Sequence, residues 1–175
     1  MNKRITVEAT LLAATWGAIF ALPLVLIWAV SSGFFAQDAV VQRFPNVVRT
    51  DSLLGWQLGL AAGLGLLPAS VGFWILWQLR GLFALYAQGK ALTREAANRV
   101  RAIGLGLFGM NVLGIFANTA QTVVLSAGNP LGQRVLAIEL GSEEIGLLLM
   151  GGLLFVIGRS MAEAVEAAEE LRGFV

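Results

Sequence analysis

Charge is missing from four long stretches of this chain, and that absence constrains its fold more than any motif does. Residues 9–37, 52–79 and 102–133 carry no Asp, Glu, Lys or Arg over 29, 28 and 32 positions, and residues 145–158 over 14. A helix needs about 20 mainly apolar residues to cross about 30 Å of hydrocarbon, so the first three stretches suffice alone. The fourth reaches that length with Gly141, Ser142 and Arg159, the arginine side chain reaching back to the headgroups and Glu143 and Glu144 lying at the opposite interface. Composition agrees, with 57% hydrophobic and 13% charged residues, where an ordinary soluble domain has roughly 25% charged. The expected fold is an all-α integral membrane protein. It is a four-transmembrane-helix bundle in one membrane domain, 1–175, with spans at about 9–33, 53–79, 102–126 and 141–160.

Lys3 and Arg4 precede the first stretch as they would a secretory signal, but its apolar run exceeds the roughly 7–15 residues of a signal core. No convincing small-x-small cleavage site follows "SSGFFAQDA", so an uncleaved anchor is expected. Lysine and arginine then set the orientation. Lys3, Arg4, Arg80, Lys90, Arg94, Arg99, Arg101, Arg159 and Arg172 collect on one side and only Arg43, Arg49 and Arg134 on the other, nine against three. This places both termini in the cytoplasm. Trp56 at one end of the second span, with Trp74, Trp77 and Tyr86 near the other, fits interfacial belts.

The cytoplasmic loop, 80–101, contains "GKALTREAANRVRAIG", with five charges at Lys90, Arg94, Glu95, Arg99 and Arg101. It predicts a short cytoplasmic helix between the second and third spans. Thr93 is a good N-cap, Glu95 sits where the helix dipole favours an anion, Leu92 and Ala97 form a weak staple, and Glu95 with Arg99 is a favourable i,i+4 pair. A basic loop resting on anionic lipid enforces topology without further purpose; the sharper role is to dock something acidic. Beyond Arg159 the last helix continues as "SMAEAVEAAEELRGFV", a cytoplasmic tail over 161–175 with Glu163, Glu166 and Glu170 on one face and Met161, Val165 and Ala168 on another. Arg94, Arg99 and Arg101 are expected to lie beside Glu163, Glu166 and Glu170, forming the surface a partner meets. The plain alternative is a solvated tail.

Within the spans, Asn111, Asn118, Gln121 and Thr122 fall roughly on one face of the third. In lipid such side chains hydrogen-bond across helices, at about 0.6 kcal/mol each. Helix–helix glue is the simpler reading; a polar pocket for a ligand or lipid headgroup is the other. Gly55, Gly59 and Gly63 in "GWQLGLAAG" repeat every fourth residue, a stripe expected to take a close-packed helix of this chain or another. Pro23 and Pro68 are kink candidates. The two outer loops, "QDAVVQRFPNVVRTD" and "AGNPLGQRVLAIELGSEE", have turn signals at Phe44-Pro45-Asn46 and Gly128-Asn129-Pro130, and their β-branched runs, Val47-Val48 and Val135 to Leu140, are candidates to pair as a small cap.

Several chemistries are excluded by residue type. The chain has no Cys and no His, so disulfides, thiolate nucleophiles, His-ligated haem and Ser–His–Asp triads are absent. All 11 acidic residues fall at interfaces or in loops, whereas a proton-coupled transporter requires an intramembrane carboxylate. "GLGLFG" at 104–109 follows a basic helix instead of a strand, so it is no phosphate loop. No internal repeat suggests an inverted-repeat transporter. No enzyme activity, cofactor or direct nucleic-acid binding is expected.

The segment "LFALYAQGKALTREAANRVRAIG", followed by two spans and a charged tail ending "EELRGFV", resembles the bacterial DUF2975 family of small four-helix membrane proteins. Gly89, Thr93, Glu95, Arg101, Ile103 and Gly104 match its "G-x-x-F-T-x-E-N" and "L-R-x-I-G" pattern, while Leu92, Ala96 and Val100 depart from it. The resemblance implies the bacterial inner membrane and a protein partner, since family members are often encoded beside small helix-turn-helix regulators. It supplies no catalytic residues. The expected function is a non-enzymatic membrane interaction or regulatory protein, partnering the bilayer and a cytoplasmic regulator. The alternatives are an accessory subunit of a larger membrane complex and, more weakly, small-molecule or lipid binding and transport.

Overall fold

The structure, a computed structural model, describes residues 2–31, 37–44, 53–130, 132–138 and 140–173. Its regular elements are all helices: α1 (Asn2–Ser31), α2 (Gln37–Arg43), α3 (Gly55–Ala87), α4 (Arg94–Ser126) and α5 (Ser142–Gly173). Helices α3, α4 and α5 are long and apolar enough to cross a membrane, and α1 contributes a shorter apolar stretch, Ala13–Val25.

Local chemistry sets the helix ends. Gln57 accepts from the Leu54 N–H through Oε1 at 3.0 Å and donates through Nε2 to the Val124 carbonyl at 3.0 Å, so one side chain closes the start of α3 and ties it to the end of α4. Gly89, at φ +72°, ends α3: its N–H bonds the Tyr86 carbonyl and that of Lys90 the Leu85 carbonyl, each at 2.9 Å. That paired pattern with a left-handed glycine is a Schellman ending. Thr93 then caps α4, its Oγ1 accepting from the Ala96 N–H at 3.3 Å.

The helix expected over the basic loop therefore starts at Arg94, but it is not a separate short element. It runs unbroken into the long apolar stretch of α4, through Ser126. Nothing between Val100 and Ile103 breaks it, and a break at membrane depth would leave backbone groups unpaired.

Helices α3 and α5 both pack on α4, while α1 packs on α3. Among the described residues α1 and α5 make no comparable contact, so the helices lie as an open row in the order α1, α3, α4, α5. No hydrophobic drive closes a bundle in lipid; close packing and hydrogen bonds decide which helices meet. Here the close packing lies between α4 and α5. A Cβ on Gly104 would collide with the backbone of Phe155; one on Gly151 would lie 2.8 Å from Phe108 N and 2.9 Å from Gly104 O; one on Gly158 would collide with the backbone of Arg101. Gly55, Gly59 and Gly63, by contrast, are exposed and meet nothing within 4 Å. Among the described residues the expected close-packing stripe thus meets no neighbour, because the face of α3 that meets α4 is the one carrying Gln57 and Ala61.

Two apolar clusters fix the row. Ile75, Leu82, Leu85, Ala96, Val100 and Ile103 gather near the 88–93 turn, with Leu154 and Met161 of α5 against them. At the opposite end Val40 of α2 packs with Leu53, Ala61 and Leu125. The segment after α4 forms no strand over 132–138. Side chains of α4 hold it instead: Ser126 Oγ accepts from the Val135 N–H at 3.1 Å and Thr122 Oγ1 from the Ala137 N–H at 3.3 Å. These contacts bond the Val135 and Ala137 amides to α4 in place of a ladder partner; Val47-Val48, the expected partner, lies outside the described residues.

Candidate functional site

The charged residues singled out from the sequence meet at the end of the row that bears the 88–93 turn. Arg99 lies across Gly81 of α3, whose missing Cβ makes room for the guanidinium. Its NH1 donates to Gln78 Oε1 at 3.2 Å and its NH2 to Glu95 Oε1 at 3.3 Å, while its Nε is buried without a partner. Arg80 stacks its guanidinium over Trp16 at 4.4 Å and over Trp77 at 5.1 Å, which pins α1 to α3. Arg101, on the other side of α4, lies 6.0 Å over the Phe155 ring, and Arg94 is exposed.

The expected network between Arg94, Arg99, Arg101 and Glu163, Glu166, Glu170 is not formed. Among the described residues the ion pairs are Glu95–Arg99 at 3.3 Å and Arg159–Glu163 at 2.9 Å, each within one helix. Azimuth explains it. Gly158 and Met161 make the contact with the start of α4. At 3.6 residues per turn, Glu163, Glu166 and Glu170 lie about 80–140° around α5 from Gly158. They are exposed, and so is Glu169.

The polar residues of α4 are likewise separated by the neighbours they serve. Buried Asn111 donates to the Glu144 carbonyl of α5 at 2.8 Å, and Gln121 to the Ala61 carbonyl of α3 at 2.7 Å. Thr122 is held between Thr119 and the 132–138 segment, and Asn118 is half-buried. Asn111, Gln121 and Thr122 act as hydrogen-bonding links to three different neighbours, and the four residues do not converge on one pocket. Among the described residues no three acidic side chains cluster where they would hold a metal ion.

A family model described as "Protein of unknown function (DUF2975)" matches residues 6–172. The chain belongs to the DUF2975 family. No curated protein and no solved structure matches it. Other residues also organise this DUF2975 chain. Gln57, 1% exposed, stood in a stripe read for its glycines. Gly151 and Gly158 are separated by seven residues, a heptad spacing that marks a packing seam and was there to be found. Gln78 and Arg80 follow Trp77 directly, in a stretch whose sequence signal is that of an interfacial belt.

Proposed function

We propose that this DUF2975 chain is a non-enzymatic, multi-pass protein of the bacterial inner membrane, with four spans and both termini cytoplasmic, that docks a cytoplasmic protein on the charged ends of α4 and α5. The distribution of lysine and arginine supports the orientation. One observation carries the docking role: α5 continues past Arg159 to Gly173, about 20 Å at 1.5 Å per residue, with Glu166, Glu169 and Glu170 exposed and in no ion pair among the described residues. Beside it, Arg94 and Arg101 are exposed on α4. Exposed charges of this kind add little to folding, but they steer and select a partner of complementary pattern. A small regulator is the partner class the family resemblance implies.

The test is site-specific photo-crosslinking in native membranes from Ala167 and Leu171, exposed uncharged positions beside the glutamates. A cytoplasmic protein captured by the wild-type charge pattern, and lost on Glu166→Lys with Glu170→Lys while membrane insertion is unchanged, supports the reading. Capture of integral membrane proteins instead, through the exposed Leu149, Met150, Leu153 and Val156 face of α5, would replace it with the accessory-subunit reading.

A further inference from the structure

Helices α3 and α4 leave a long cleft on one side. Its deeper part, about 450 Å³, is lined by Val71, Trp74, Leu105, Phe108, Gly109 and Phe116 among others, with scarcely a polar atom. Its outer part, about 430 Å³, is lined by Trp77, Gln78, Glu95, Asn98, Arg99 and Ala102. The spacing makes them one groove: residues 71, 74, 77 and 78 of α3, and 95, 98, 99, 102, 105, 109, 112 and 116 of α4, are successive positions on single helix faces. Gly106 lets Trp74 approach to form the floor, since a Cβ there would lie 2.9 Å from its ring.

From this geometry we infer that the α3–α4 cleft binds one molecule of a zwitterionic aminophospholipid, phosphate on Arg99, ammonium on Glu95, and an acyl chain along the apolar floor. The inference rests on the membrane-spanning part of the proposed function and is independent of the docking role. Three observations carry it. The apolar part is open sideways, with Leu105 58% and Phe116 68% exposed, so at membrane depth only something already in the bilayer fills it. From Ala102 to Phe116 the groove runs about 21 Å of helix, more than the about 15 Å depth of one leaflet, so an acyl chain fits end to end. The polar mouth is electrically balanced, one guanidinium and one carboxylate 3.3 Å apart. Arg99 keeps N–H donors beyond the two engaged by Gln78 and Glu95, and Asn98 adds an exposed amide. A headgroup of one phosphate and one ammonium matches that balance; a purely anionic headgroup meets Glu95 as a like charge.

The experiment is native mass spectrometry and lipid extraction of the full chain, purified in mild detergent from membranes containing phosphatidylethanolamine and phosphatidylglycerol. Wild type is expected to retain one phosphatidylethanolamine. Gly109→Phe fills the groove at a site where an added Cβ meets nothing within 4 Å, and is expected to lose the bound lipid at least tenfold. Glu95→Gln, at an exposed position, is expected to keep a lipid but shift the ratio toward phosphatidylglycerol by about fivefold, the scale of one exposed ion pair. Arg134→Gln, at an exposed position beyond the opposite end of α4, should change neither. Equal retention by wild type and Gly109→Phe, or a wild-type preference for phosphatidylglycerol, overturns the inference. Carbonate extraction of the same membranes separates that outcome from failure to span the bilayer.

Discussion

Replacing Gly151 by alanine should separate α4 from α5. The added Cβ would sit 2.8 Å from Phe108 N and 2.9 Å from Gly104 O, both backbone atoms that no rotamer change can move. Ordinary contact begins near 3.4 Å, so the helices must part by at least 0.6 Å along that line. Overpacking of this kind costs about 1–3 kcal/mol. Alanine's better helix propensity, about 1 kcal/mol in water, gives little back, since separated spans remain helical in lipid. Gly104→Ala and Gly158→Ala should behave alike, and Gly104→Ala with Gly151→Ala should be non-additive because the two residues share one contact. Gly55→Ala, Gly59→Ala and Gly63→Ala meet nothing within 4 Å and should stay within about 0.5 kcal/mol of wild type. The assay is sodium dodecyl sulfate titration of the detergent-purified chain, followed by tryptophan fluorescence. A neutral Gly151→Ala, or a Gly59→Ala as costly as Gly151→Ala, would refute this account of the packing.

Other substitutions test the polar links. Gln57→Leu removes two hydrogen bonds at a buried site and should cost about 1–3 kcal/mol in the same titration. Asn111→Asp puts a carboxylate where the amide now donates to the Glu144 carbonyl, and should destabilise far more than Asn111→Leu. Trp16→Leu removes the ring under Arg80 and should loosen α1 by about 0.5–2 kcal/mol, read as faster proteolysis within α1 while α3 to α5 stay protected. Glu163→Gln breaks only an exposed pair with Arg159 and should leave stability within about 1 kcal/mol at any salt concentration.

How far the sequence could be read depended on whether a feature was local. The uncharged stretches, the Thr93 cap and the Glu95–Arg99 pair are set within a few residues, and the structure has helices, cap and pair where they were expected. Azimuth and partner choice are not local. Gly55, Gly59 and Gly63 show that a close approach is permitted, whereas Gly104 and Gly151 meet only because α4 and α5 run side by side. The signs of Arg101 and Glu166 are plain in the sequence, yet the contact through Gly158 and Met161 turns the glutamates away. The charged first turns and apolar remainder of α4 have the pattern of two elements, yet they form one helix. Helix α2, seven residues long, is too short for its periodicity to register.

The most direct test of the central reading is sidedness, and a chain with no native cysteine is suited to it. Lys90→Cys, Arg134→Cys and Glu169→Cys, each at an exposed position, can be probed singly with a membrane-impermeant maleimide on intact and on lysed spheroplasts. Labelling at 134 in intact spheroplasts, with 90 and 169 reacting only after lysis, is the predicted result. Labelling of 90 and 134 from the same side would contradict the four-span topology and, with it, the cytoplasmic docking surface.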